Sequence, residues 1–299
     1  MPVADRAMSE SELPCDLCGA TDALELSGLR RYTAGQRIHV CTRCGLVYVK
    51  RRRPPREVAT YWSEQVFGGH YTARIPAMKA RQVFVAETID VALVLRGKRV
   101  CDIGTGEGQF LEIIRSPEYG AEAFGTEASA AHSAALARAG LRHFLGTAEE
   151  LVAGSAATEY RADIVTLMWT LECSASCRNL LDAAFRLLDD GGHIVVATGS
   201  RILVPFKKPL HYYLNAEPLD IHPVRFSANT LHGILAVSGF EVVATNRFID
   251  HDVLCVIARK REAGADIPWK GDDPTAVMEF FARWDRESMF YAGWPGPER

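Results

Sequence analysis

The chain has 299 residues, of which 48% are hydrophobic, and its 34 lysines and arginines against 37 aspartates and glutamates give a formal net charge of −3 at pH 7. These values are typical of a globular protein of one or two domains, and so small a charge gives no overall field to attract nucleic acid or an anionic membrane, so we expect neither partner. No apolar run reaches the roughly 20 residues that cross a bilayer, and the polar segment 1–13 is unlike a secretory signal, which predicts a cytoplasmic protein.

Two Cys-x-x-Cys sequences come first in the chain, at Cys15 and Cys18 and at Cys41 and Cys44. Each second cysteine is followed by glycine, which lets the backbone amides turn toward the sulfur atoms. Four thiolates at this spacing predict one structural Zn²⁺ in a zinc ribbon, with short strands at 36–40 and 46–49. Two disulfides are the alternative, which a reducing cytoplasm disfavours.

The basic, proline-rich run at residues 50–56 marks the end of this segment. Apolar residues at helical spacing then predict a helix from Ala77 to about Leu95, which ends before a glycine. We therefore expect a zinc-ribbon segment at 1–56 and a helical cap and lead-in at 57–96.

A short apolar strand, Arg99–Ile103, leads into a glycine loop at 104–108 and a helix at 109–115. The glycines let the backbone approach a ligand, and the start of the helix presents free amides to it. Since Gln109 occupies the sixth place of the loop, the dinucleotide fingerprint is not matched. The next strand ends in Glu127, a carboxylate that can accept hydrogen bonds from ribose hydroxyls.

The motifs at 100–108, 125–127 and 162–167 resemble those of class I S-adenosylmethionine-dependent methyltransferases, over about residues 77–260. The resemblance implies an α/β fold with a doubly wound, mostly parallel seven-stranded sheet, and S-adenosylmethionine as cofactor. In place of the aspartate often found in the adenine-contact loop, this chain has Thr147. The implied cofactor-binding residues are Asp102, Gly104, Thr105, Gly106, Gly108, Glu127, Ala128, Thr147, Ala148, Glu149, Met168, Trp169 and Tyr71, the last covering the sulfonium.

Two β-rich runs, 241–249 and 252–259, predict an antiparallel hairpin that closes the sheet. Such a reversed strand is typical of methyltransferases rather than dehydrogenases, so we place the methyltransferase domain at 97–262. The remaining tail, 263–299, contains an apolar helix from Pro274 to Tyr291. We expect this helix to pack on the sheet or to form a homodimer contact.

This chain is also similar to bacterial methyltransferases that have a zinc-binding lead segment, many of which act on sugars. The similarity lies in the cysteine pairs and in residues 61–62, 68–71 and 222–227. This similarity implies O-methylation of a sugar (nucleotide-linked or polysaccharide) or another hydroxylated small molecule. Sugar C- or N-methylation is the alternative, and a non-catalytic partner protein is an alternative of another class. Carbon methylation is less favoured because Cys173 follows Leu-Glu where the family often has histidine, and no Glu-His pair precedes Ser227.

The stretch 199–227 is dense in acidic, basic and aromatic residues, which predicts a substrate lid. A hydroxyl acceptor must lose a proton, and a histidine with an ordinary pKa near 6.5 suits that role. We expect His222 to be the base, with His211 as second candidate and Glu172 to orient it or to bind the acceptor. The predicted acceptor-binding residues are Lys208, Tyr212, Tyr213 and Arg225.

Overall fold

The computed structural model describes residues 12–33, 36–52, 54, 57–58, 75–205, 208–214, 222–246 and 253–292. These residues build a seven-stranded sheet and a four-stranded sheet. Within them, no helix combines the length and the apolar character that a bilayer crossing requires.

The four-stranded sheet belongs mainly to the N-terminal segment. Its strands β1 (Ala23–Glu25), β2 (Ile38–Cys41) and β3 (Val47–Val49) are antiparallel neighbours, and β9 (Val224–Arg225) pairs with β3 at the edge. The two strands expected at 36–40 and 46–49 are therefore present. The fourth strand comes from the stretch predicted as a lid, so the lid and the N-terminal segment share one sheet.

The seven-stranded sheet has the order β10-β11-β8-β7-β4-β5-β6. Its central pairs are parallel, and β11 is antiparallel to both β8 and β10. This confirms the expected doubly wound sheet with one reversed strand. The strands are β4 (Arg99–Ile103), β5 (Glu122–Glu127), β6 (His143–Leu145), β7 (Ala162–Met168), β8 (Leu188–Thr198), β10 (Phe240–Thr245) and β11 (Leu254–Lys260).

Helices cover both faces of this sheet, as parallel strands require. Ser227 begins one of them, because its hydroxyl accepts the amide of Thr230 as an N-cap. The predicted hairpin corner at 250–251 lies outside the described residues. The helices are α1 (Ile75–Leu93), α2 (Gln109–Arg115), α3 (Ala130–Arg138), α4 (Ala148–Ala153), α5 (Cys177–Leu187), α6 (Leu210–Tyr213), α7 (Ala228–Val237) and α8 (Pro274–Ala292), with 3-10 turns at Ser27–Tyr32, Ser155–Tyr160 and Leu171–Cys173.

The C-terminal helix α8 packs on the small sheet rather than on the large one. Its buried residues Val277, Phe281 and Trp284 join a core cluster with residues of β2 and β3. The indole Nε1 of Trp284 also donates to the main-chain oxygen of Lys208 at 2.8 Å. The tail thus holds the N-terminal segment and the 208–214 segment together.

A buried ion pair joins the first cysteine turn to the start of α5, beside the seven-stranded sheet. The Arg52 guanidinium lies 2.6 Å from the Asp16 carboxylate, with side chains only 1% and 6% exposed. Arg52 also donates to the oxygens of Val49 (2.8 Å) and Ala175 (3.1 Å). The other Asp16 oxygen accepts the amide of Cys177, at the start of α5, at 3.0 Å. These added hydrogen bonds compensate both charges for the loss of water.

The second cysteine turn is held by the segment that precedes α8. The amide of Asp272 donates to the oxygen of Cys44 at 3.0 Å, and its carboxylate accepts from Ser227 and Asn229. The fit leaves no room for a side chain at Gly271, where a Cβ would lie 2.6 Å from the Cys44 oxygen. Both cysteine turns are therefore anchored to later parts of the chain.

We predict that Arg52→Met lowers the free energy of unfolding by about 3–5 kcal/mol, because it leaves the buried Asp16 carboxylate without its counterion. The matched control is Arg51→Met. Arg51 pairs with Glu12 at 3.5 Å, and both side chains are about 60% exposed. The control should change stability by about 0.5 kcal/mol or less. Urea unfolding followed by circular dichroism measures both, and equal losses would contradict a specific role for the buried pair.

Candidate active site

A cavity of about 240 Å³ opens at the carboxyl ends of β4, β5 and β7. This is where ligands bind in doubly wound sheets. Most of the predicted cofactor residues line it, namely Gly104, Thr105, Gly106, Glu127, Ala128, Thr147, Ala148, Glu149, Met168 and Trp169. Asp102 and Gly108 are not part of this wall, and Tyr71 lies outside the described residues.

Gly104, Gly106 and Gly108 in the loop all have positive φ values, and Gly106 and Gly108 serve different purposes. At Gly106 (φ +59°) a Cβ would meet no atom within 4 Å, so the backbone faces open space that a ligand can enter. At Gly108 (φ +84°) a Cβ would lie 2.5 Å from Leu136 and 2.4 Å from Leu141. Gly108 is thus needed for packing and for starting α2, whereas Gly106 forms the ligand-facing part of the loop.

The Glu127 carboxylate at the end of β5 is fixed by main-chain amides. Gly106 donates to one oxygen and Ser129 to the other, both at 2.7 Å. The His132 Nδ1 lies 3.8 Å from the same group. Because each carboxylate oxygen has a second lone pair, Glu127 can still accept two ribose hydroxyls.

Asp102 lies beneath the glycine loop, fully buried, and accepts a 2.6 Å hydrogen bond from the Thr166 hydroxyl. The pKa of its carboxyl is raised from 3.8 to about 7, mainly by burial and also by the nearby charge of Glu127, while the Thr166 hydrogen bond offsets part of the rise. Asp102 therefore supports the loop from below.

Thr147 replaces the expected aspartate and has a local structural role. Its hydroxyl accepts the amide of Glu150 at 3.2 Å, and the Glu150 carboxylate accepts the amide of Thr147 at 2.9 Å. This reciprocal capping box begins α4. The substitution thus keeps the helix start at the cavity wall while removing a charge from it.

Trp169 has a backbone conformation that is unusual for a non-glycine residue, with φ +58°. Its amide donates to the oxygen of Ala197 at 2.8 Å, and the following Thr170 hydroxyl donates to the oxygen of Ile103 at 3.0 Å. Both residues line the cavity. Strained backbone held by its neighbours is typical of functional sites.

Glu172 is completely buried in the turn that follows β7. One carboxylate oxygen accepts the amide of Gly199 at 3.3 Å, and in the described part of the chain the other has no hydrogen-bond partner. Burial raises the pKa of this carboxyl, and the charge of His222 offsets part of the rise. The turn that contains Glu172 packs against β9, which begins two residues after His222, and neither Glu172 nor His222 lines the cavity.

The other lid residues surround Tyr213. Its ring lies 5.5 Å from the Lys208 Nζ and 5.9 Å from the Arg225 guanidinium carbon. Arg225 is 1% exposed and donates to the main-chain oxygen of His222 at 3.1 Å. His211 is exposed, with its ring 4.3 Å from that of Tyr212, and does not line the cavity.

The structure adds residues to the cavity wall that the motifs do not identify. Val58, Met78 and Gln82 precede β4, and Cys173 and Ala175 follow β7. Helical periodicity in the sequence placed α1 but could not show which of its residues face the ligand. That face is decided by packing against α2.

The four cysteines of the N-terminal segment form a second candidate site. Their Sγ atoms all lie within 4.8 Å of one another, with 3.5 Å between Cys15 and Cys44 and 3.4 Å between Cys18 and Cys41. These separations exceed the roughly 2.05 Å of a disulfide bond. Zinc bound to sulfur at about 2.3 Å in a tetrahedron would space the four atoms by about 3.8 Å, so the donor set fits Zn²⁺.

We predict that Asp102 makes the protein less stable as pH rises from about 4 to about 7, because the folded state binds the proton more tightly than the unfolded chain in this range. Relative to Asp102→Asn, the wild type should lose up to about 1.4 kcal/mol of unfolding free energy per pH unit there. Denaturant unfolding at pH 5, 6, 7 and 8 gives the difference. Glu122→Gln, at a side chain 61% exposed, is the control and should show no such slope. A difference that is constant with pH would refute the assignment.

The comparisons with known proteins agree with this geometry. A family model of methyltransferase domains matches residues 78–245, more than half of the chain. No curated protein matches the chain by sequence.

Solved structures share the fold at low identity. An S-adenosylmethionine-dependent methyltransferase of Thermotoga maritima has a TM-score of 0.51 at 18% identity, covering 68% of this chain and 100% of its own. The 1,6-didemethyltoxoflavin-N1-methyltransferase of Burkholderia thailandensis, solved with S-adenosylhomocysteine, has a TM-score of 0.50 at 15% identity, covering 73% and 96%. With the matched family model and the cavity described above, the chain belongs to the class I S-adenosylmethionine-dependent methyltransferases.

Proposed function

We propose that the enzyme methylates a hydroxyl oxygen of a sugar, nucleotide-linked or in a polysaccharide, or of another hydroxylated small molecule. The observation that carries this proposal is the fully buried Glu172 carboxylate, in a turn that packs against β9, the strand that begins two residues after His222. This turn follows β7, whose carboxyl end borders the cofactor cavity. A histidine backed by a carboxylate is suited to removing the proton of a hydroxyl acceptor.

The residues of the cavity fit S-adenosylmethionine. Glu127 would hold the ribose, the stretch 147–149 would border the adenine, and the open face of Gly106 would admit the chain that carries the sulfur. When bound, this cofactor supplies a methyl group on a positively charged sulfur. The task of the protein is then to align the acceptor oxygen with that methyl group and to exclude water.

In the proposed mechanism a ring nitrogen of His222 takes the acceptor's proton as the oxygen attacks. Glu172 stabilises the resulting imidazolium, because a buried carboxylate attracts that charge more strongly than one in water. Arg225 fixes the histidine main chain through its 3.1 Å hydrogen bond. Glu172 and Arg225 thus position the base and do not touch the methyl group.

The exposed cation beside Tyr213 supports an acceptor that carries a negative group. Lys208 lies 5.5 Å from the ring, and Tyr212 exposes 68% of its surface beside it, whereas Arg225, also near the ring, is buried. Lysine is a usual partner of phosphate, and an aromatic face accommodates a sugar ring. A nucleotide sugar satisfies both requirements.

We predict that a panel of nucleotide sugars contains a substrate, recognised by a product 14 Da heavier and by release of S-adenosylhomocysteine. With that substrate, His222→Gln should lower kcat by about 10²–10⁴-fold, since it removes the general base. Glu172→Gln should lower kcat less and move the pH profile, because it removes the charge that stabilises the imidazolium. Affinity for S-adenosylhomocysteine, measured by calorimetry, should stay within twofold in both variants.

His211→Gln discriminates between the two candidate histidines. Loss of kcat in this variant with full activity in His222→Gln would overturn the assignment of the base. Product methylated on carbon or nitrogen would overturn the proposed acceptor atom and leave the family assignment intact.

We also propose that Cys15, Cys18, Cys41 and Cys44 hold one structural Zn²⁺. All four positions are filled by protein sulfur, which is the arrangement of structural rather than catalytic zinc. The ion would fix the two turns that dock on Cys177 and Asp272. Its role is then to hold the small sheet, including the lid strand β9, in place.

We predict about one zinc per chain by elemental analysis of the purified protein, and none after all four cysteines are replaced by serine. The matched control is Cys173→Ala, a buried cysteine outside the cluster, which should retain the metal. Zinc retained by the four-serine protein, or absent from the wild type, would refute the site.

A further inference from the structure

A buried amide in the cavity wall has no role in the mechanism above. Gln82 lies on α1, lines the cavity and is 8% exposed. Across the residues that the structure describes, its Oε1 has no hydrogen-bond partner. A buried acceptor left without a partner destabilises the folded state, so such groups are rare unless a ligand satisfies them.

The packing of α1 shows which part of a ligand Gln82 meets. The buried residues Val85, Ala86 and Ile89 belong to a core cluster to which β4, β7, β8 and β11 contribute seven residues, β5 contributes only Ala123 and β6 contributes none. The ribose residue Glu127 and the adenine-bordering stretch 147–149 follow β5 and β6, on the other half of the sheet. Gln82 therefore lies toward the end of the cavity opposite the adenine.

The direction of α1 agrees with this placement. The 19-residue helix ends shortly before β4 begins, so its C-terminus lies at the edge where the parallel strands start. At 1.5 Å per residue it spans about 28 Å, enough to bring its N-terminal half to the carboxyl ends of the strands. Met78, one turn before Gln82, lines the same cavity.

We propose that Gln82 recognises the amino acid end of S-adenosylmethionine. This end carries an ammonium group, which donates hydrogen bonds, and a carboxylate, which accepts them. The carboxamide offers one acceptor and two donors in a neutral group, so it can bind both without a charge of its own. The inference rests on the family assignment and does not depend on the acceptor or the base.

Two ligands test the proposal by calorimetry. S-adenosylhomocysteine contains the amino acid, whereas 5′-methylthioadenosine has the adenosine and sulfur but lacks it. Gln82→Met keeps the length of the side chain and removes its hydrogen bonds. We expect about tenfold weaker binding of S-adenosylhomocysteine and binding of 5′-methylthioadenosine within twofold of wild type.

Gln109→Met is the matched control, because this glutamine lines the same cavity but already donates to Glu107 at 3.0 Å. It should change both affinities by the same factor. Should Gln82→Met fail to fold, Gln82→Asn, with the amide on a shorter stem, is measured instead and should show the same selective loss.

Equal effects of the Gln82 substitution on the two ligands, or no effect on either, would overturn the proposal. Failure of both ligands to bind the wild-type protein would instead contradict the cofactor assignment. Binding of both ligands without any sugar methylation would leave the role of Gln82 intact and remove only the proposed acceptor.

Discussion

The ion pair between Arg52 and Asp16 is the contact on which the arrangement of the whole molecule depends. It lies where the first cysteine turn, the end of the small sheet and the start of α5 meet. A buried pair is stabilising only when further hydrogen bonds replace the water that both ions lose, and here Val49, Ala175 and Cys177 provide them. Since Ala175 lines the cavity, the same guanidinium joins the cysteine segment to the cofactor site.

This contact explains how a segment with little core of its own influences the main chain next to His222. The strands β1, β2 and β3 contain only three or four residues each, too few to be stable in isolation. Strand β9 extends their sheet, and the amide of Val49 donates to the oxygen of Pro223, the residue after His222, at 2.8 Å. A disturbance of the cysteine turns is thus transmitted over a few bonds to the main chain of the proposed base.

Local signals sufficed to predict the central part of the fold. The bounds of β4 and α2 follow from an apolar run, a glycine loop and a helical pattern that are contiguous in the sequence. Where a structural feature depends on contacts between segments far apart in the chain, the sequence alone did not predict it. The Asp-Asp-Gly-Gly sequence at 189–192 is typical of a turn, yet it is incorporated into β8, whose pairing with β7 shifts register there. The role of Gln82 and the joining of β9 to the small sheet likewise depend on tertiary contacts.

The negative charges of the cavity wall limit which interactions can lower the barrier to methyl transfer. Glu107, Glu127 and Glu149 line it, and the described lining residues include no lysine or arginine. Such a wall attracts a positively charged cofactor, yet it opposes the loss of that charge as the methyl group leaves sulfur. The rate acceleration must therefore come from alignment and from negative charge developing on the acceptor oxygen. In the proposed mechanism this requirement falls to Glu172 and His222, because removal of the acceptor's proton increases the negative charge on the oxygen that the methyl group approaches.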